Sequence, residues 1–102
     1  MLNFAQLSRF YNNLATLDQA GLTYLKAFEG FKRTEKDPDQ IYKIQFMISH
    51  IQKNRPLSDG FKFIKYVPAF DIPLIKAAEA SGRLVEVFKI LSKKYADAVV
   101  AE

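Results

Sequence analysis

The chain has 102 residues and a formal net charge of +4, the size of one domain able to bury a core without staples. It has no cysteine, which excludes disulfides and thiolate metal centres and favours a reducing, cytoplasmic setting. No run reaches the roughly 18 apolar residues a membrane span needs, and Met1 to Phe10 lacks the basic start and apolar middle of a signal peptide, so a soluble chain is expected.

Phe4, Leu7, Tyr11, Leu14 and Leu17 recur at spacings of three and four, the mark of one helical face, and the helix they predict ends near Gly21. Leu22, Leu25, Phe28 and Phe31 repeat the pattern up to the polar breaker Lys36-Asp37-Pro38-Asp39. Ile41, Ile44, Ile48 and Ile51 give a third stripe, with Asp37 or Asp39 placed to cap its start and Asn54-Arg55-Pro56 to end it. Leu57, Phe61 and Ile64 predict about two further turns; Gly60 inside them costs about 1 kcal/mol relative to alanine, so tertiary packing must hold that piece. Val67-Pro68-Ala69-Phe70 reads as an extended link, because the residue before proline is pushed out of the helical region. Asp71 is placed to cap a fifth helix running through Glu79, with Pro73 tolerated in its first turn.

The pattern then breaks at Ala80-Ser81-Gly82. Gly82 can take the left-handed conformation that closes a helix, and Ser81 can accept from the N–H groups that open the next. The sixth helix carries Leu84, Val87, Phe88, Leu91 and Tyr95 on one side, with Lys89, Lys93 and Lys94 largely on the other. No alternation of period two persists beyond a few residues. The expected fold is all-α, a single domain over residues 1–102 built as a compact bundle of about six helices with short connections. Nine phenylalanines and five tyrosines supply the bulk of its core.

The residues offer little for catalysis. His50 is the one histidine and falls near a helix end between Ile48 and Ile51, where a structural role is expected. No glycine-rich phosphate loop is present. Asp37 and Asp39 are explained by helix capping, and Glu79 with Asp59 are too few for a calcium site of six to eight oxygens. No catalytic residue, cofactor or metal ligand is assigned. Charges are interleaved along the chain except around Lys53, Arg55, Lys62 and Lys65, a basic set suited to an anionic membrane surface, an acidic protein or weak nucleic-acid contact.

Several segments together resemble a known family. Glu79-x-Ser81-Gly82-Arg83-Leu84 is similar to the Gly-Glu-x-Ser-Gly-x-Leu signature of the F-protein family of type II secretion and type IV pilus assembly. The run from Phe10 to Leu22 resembles that family's opening Phe-x-x-x-Leu-Ala-Thr-Leu-x-x-Ala-Gly-Leu motif. Pro56 to Phe61 resembles its Ser-Leu-Ser-Glu-Ala-Leu, Phe70 to Leu74 its Phe-Pro-Pro-Leu, and Val87 to Tyr95 its last helix, all in family order and spacing. Ala78, Asn54 and Pro56 depart from the usual glycine, glycine and serine, which suggests a divergent branch; the match begins almost at Met1, without the longer N-terminal extension of many secretion members, so the compact platform proteins of type IVb pili are the closer resemblance.

The resemblance implies a six-helix cytoplasmic domain of a polytopic inner-membrane platform protein, excised from a chain that continues past Glu102 into a membrane helix. It implies a non-enzymatic coupling part that contacts a hexameric assembly or secretion ATPase and other inner-membrane assembly components. Pilin or pseudopilin would be engaged through the full-length protein. Glu79 and Arg83, polar residues beside a corner that needs only Ser81, Gly82 and Leu84, are candidates for contact with a partner or with a second copy in a homodimer. Lys53, Arg55, Lys62 and Lys65 form the second candidate surface. The alternative reading is a small basic helical nucleic-acid-binding domain, with Lys89, Lys93 and Lys94 on its sixth helix; under the platform reading no nucleic acid is bound.

Overall fold

Each helix begins where its first orphan N–H groups find an acceptor. In the computed structural model, which describes residues 3–64 and 67–101 (without the side chains of 100 and 101), α1 (Phe4–Gln19) opens on a reciprocal capping box. Asn3 Oδ1 accepts from the Gln6 N–H at 2.8 Å, and Gln6 Oε1 accepts from the Asn3 N–H at 3.1 Å. Gly21, at φ +86°, turns the chain, and Thr23 caps α2 (Tyr24–Thr34). Leu22 precedes that helix and is exposed, so it does not belong to the apolar stripe.

Asp37 caps α3 (Pro38–Gln52) through the Asp39 N–H at 3.0 Å. The helix closes at Asn54, which sits at φ +57° and is the one non-glycine residue with positive φ among those described. The Arg55 N–H reaches back to the His50 carbonyl at 3.3 Å, a helix-closing bond that a left-handed residue permits. Asparagine tolerates this conformation better than most other non-glycine residues.

The two turns after Pro56 are α4 (Leu57–Gly60) continued by a 3-10 turn, Phe61–Phe63. Gly60 is required there by contact. It is buried at φ −73°, and a Cβ on it would run into Met47 Sδ and press His50 Cδ2 at 3.3 Å. A second 3-10 turn, Ala69–Asp71, replaces the expected extended link after Pro68 and feeds α5 (Ile72–Ser81). Gly82 closes α5 at φ +72°, with the Arg83 N–H bonded to the Ala78 carbonyl at 2.8 Å. Then comes α6 (Leu84–Ala101). Ser81 is not the cap of α6. It lies inside α5, and its hydroxyl donates back to the carbonyls of Ala77 and Ala78.

The result is an all-α bundle of six helices, with no strand among the described residues. The most extensive packing joins α1 to α6, while α2 lies on α3 and α4 is wedged between α3 and α5. Ser8 and Ser92 allow the first pair to approach closely, each hydroxyl donating to the other's carbonyl, at 2.7 and 2.9 Å. Phe61 is fully buried at the centre, its ring 6.1 to 6.3 Å from those of Phe88, Phe28 and Phe10. No helix among the described residues is long and apolar enough to cross a membrane.

Candidate functional site

Helix α4 starts with a difficulty written into its sequence. Pro56 occupies the capping position and has no side-chain oxygen, so the first N–H groups of α4 need an acceptor from elsewhere. Glu79 on α5 supplies it. One carboxylate oxygen accepts from the Leu57 N–H at 2.6 Å; the other accepts from the Ser58 N–H at 3.1 Å and the Ser58 hydroxyl at 2.9 Å. This revises the expectation that Glu79 is left over once the corner is built. Its carboxylate is the remote cap of another helix.

That junction forms one wall of a cleft lined by Thr23, Tyr24, Leu25, Ile51, Asn54, Arg55, Leu57 and Glu79. The start of α2, the end of α3, the start of α4 and the last turn of α5 therefore converge here. The Tyr24 hydroxyl donates a short hydrogen bond to the Asp18 carboxylate. Burial first, then that bond and the charges of Asp18 and Glu79, push its ionisation well above the ordinary tyrosine range. Tyr24 is thus a neutral, fixed wall. Arg55 is exposed at the rim, where a guanidinium can hold a carboxylate in two-pronged fashion.

The other predicted residues are dispersed. Arg83 is exposed at the head of α6, 4.0 Å from Glu86 in a solvated pair. Lys53 is exposed at the end of α3, two residues before Arg55. Lys62 is exposed on the 3-10 turn after α4, its Nζ 5.5 Å from the Phe63 ring centre. Lys65 lies outside the described residues. Of the six, Arg55 and Glu79 share one cleft.

Asp71 is the largest departure from the sequence reading. It precedes α5 but makes no capping bond, and it is 2% exposed. Its Oδ2 accepts from the Tyr11 hydroxyl at 2.9 Å and the Tyr95 hydroxyl at 2.7 Å, and Lys94 Nζ lies 3.5 Å from Oδ1. The carboxylate thus ties α1, α5 and α6 together. Burial, then Asp71 itself, raises the ionisation of both phenols far above the usual range. The same network draws on the basic face of α6: Lys94 is held by Asp71 and lies 4.5 Å from the Phe70 ring centre, while Lys93 pairs with Asp97 at 3.1 Å. Two of the three lysines of the nucleic-acid alternative are therefore engaged within the domain.

His50 is 9% exposed, and its buried Nε2 has no hydrogen-bond partner. Its ring meets Phe63 edge-on at 5.9 Å. Among the described residues, no three His, Asp or Glu side chains gather where they could hold a metal ion. Compared with the models of known families, with curated proteins and with solved structures, the chain matches none.

Proposed function

We propose that this chain is a cytoplasmic domain of the inner-membrane platform protein of a type IV pilus or type II secretion machine. In that role it couples a hexameric assembly ATPase to the extraction of pilin or pseudopilin. It acts through protein–protein contacts at the cytoplasmic face of the inner membrane, and nucleotide chemistry belongs to the partner. The observation that carries the reading is the way the resembling segments are used. Two of them, the stretch opening at Pro56-Leu57 and the Glu79 to Leu84 signature, meet where Glu79 accepts from the Leu57 and Ser58 N–H groups at the wall of the cleft, and the run from Phe10 to Leu22 reaches the same cleft through Asp18, which holds Tyr24. The six-helix bundle supports it as well, since that is the architecture the resemblance implies.

The working surface in this reading is the cleft with Arg55 at its rim and Arg83 at the next corner. Both are exposed arginines whose loss leaves the core untouched. Binding of the 102-residue chain to the assembly ATPase encoded with it tests the assignment. Arg55→Glu and Arg83→Glu should each weaken that binding at least about tenfold, the loss of one well-placed ionic contact, with the helical circular dichroism unchanged. Wild-type affinity in both variants would remove this surface, and no ATPase binding by the parent chain would remove the platform reading.

A further inference from the structure

A second surface, unused by the cleft, runs along α3. Tyr42, Phe46, His50 and Lys53 follow one another at spacings of four, four and three and so share one side of the helix. Tyr42 is 63% exposed and Phe46 43%, and their rings meet edge-on at 4.8 Å. Phe63 stacks on Phe46 with ring centres 5.5 Å apart and brings Lys62 to the same place. Three aromatic rings thus line up beside two exposed lysines. The ion pairs described in this structure use Lys43, Arg83, Lys93 and Lys94 and leave out Lys53 and Lys62. Of the carboxylates close by in sequence, Asp39 is paired with Lys43, and Asp59 is exposed on α4.

The pairing of rings with lysines selects the occupant. A second copy docked through a two-fold axis would set lysines against lysines, and a purely apolar partner would leave both ammonium groups without a counter-charge. An anionic bilayer surface satisfies both parts, because aromatic rings rest at headgroup depth and lysine stems reach the phosphates. We propose that the Tyr42–Phe46–Phe63 ridge, with Lys53 and Lys62, is a peripheral contact site for anionic phospholipid. The site goes beyond the platform assignment and is tested without the ATPase, so either can fail alone.

The test is co-sedimentation of the 102-residue chain with phosphatidylglycerol–phosphatidylethanolamine vesicles and with phosphatidylcholine vesicles. Binding is expected to the first, to fall with added salt, and to be weak for the second. Lys53→Gln and Lys62→Gln should each weaken it roughly fivefold, the equivalent of about 1 kcal/mol per surface lysine. Tyr42→Ala and Phe46→Ala should each lower it several-fold; Tyr42 is the more exposed of the two, so its replacement leaves the core intact. Lys89→Gln with Lys93→Gln, on α6, should leave binding unchanged. Equal binding to both vesicle types, failure to bind the anionic ones, or an equal loss in the α6 control would each overturn the site. The second of these results would leave the ridge to an acidic protein.

Discussion

Glu79 and Ser58, 21 residues apart, are joined twice: the carboxylate accepts from both the backbone N–H and the hydroxyl of the serine. One side chain on α5 thereby satisfies the start of α4, which proline left without a cap. Glu79→Ala should cost about 1–3 kcal/mol, the range for losing charge-assisted bonds and a helix cap, and Glu79→Gln less. Urea denaturation measures both. A double-mutant cycle with Ser58→Ala should show clear coupling; strictly additive losses would mean the two residues act independently.

Alkali should unfold the domain through its buried phenols. Tyr11, Tyr24 and Tyr95 all have folded-state ionisation raised above the ordinary value, chiefly by burial. Their contribution is fully present below the unfolded-chain pKa of about 10 and is lost as pH rises above it. Each fully deferred tyrosine steepens the loss by about 1.4 kcal/mol per pH unit. Denaturation midpoints taken upward from neutral pH should fall once pH passes about 10, and Tyr11→Phe with Tyr95→Phe should flatten that fall. A flat profile well above that pH would contradict the burial.

Removing the acceptor should hurt more than removing either donor. Asp71→Ala leaves two buried hydroxyls and Lys94 without their shared partner and should cost about 3 kcal/mol or more. Tyr11→Phe leaves Tyr95 and Lys94 on the carboxylate and should cost about 1–2 kcal/mol. Thermal unfolding orders the variants, and the reverse order would displace Asp71 from the centre of the network.

Three turn and contact positions separate conformation from space. Gly82→Ala meets nothing within 4 Å, so its cost of about 1 kcal/mol is purely that of a left-handed backbone. Asn54→Gly should be nearly neutral and Asn54→Val clearly destabilising, for the same backbone reason. Gly60→Ala should cost about 1–3 kcal/mol by overpacking against Met47. Shortening Met47 in the same chain should recover part of that loss, whereas an unchanged loss would place the clash elsewhere.

What could be read in advance was what a few neighbouring residues decide together. The stripes of α1, α3 and α6, the Asp37 cap and the left-handed Gly82 all depend on residues within about one turn of one another, where periodicity and capping chemistry operate. Asp71 departs from its local setting, which before Ile72-Pro73 is that of a cap, because its partners stand 60 and 24 residues away on other helices. Glu79 escaped for the same reason. The absence of a capping side chain at Pro56 was the available clue, but it says only that an acceptor is needed and not where it comes from. Of the cleft, Arg55 and Glu79 were legible as polar residues near turns; that they share it follows from packing that no local pattern encodes.

The Ser8–Ser92 clasp makes α1 depend on α6. During synthesis α1 emerges first and waits with Leu7, Tyr11 and Leu14 uncovered until α6 is complete, a long interval in which a sticky apolar stripe lacks its wall. A truncation before Leu91 would therefore strip cover from α1 as well as removing the second half of α6. A pull along α6 would meet its resistance at α1, as shear along the contact between the two helices.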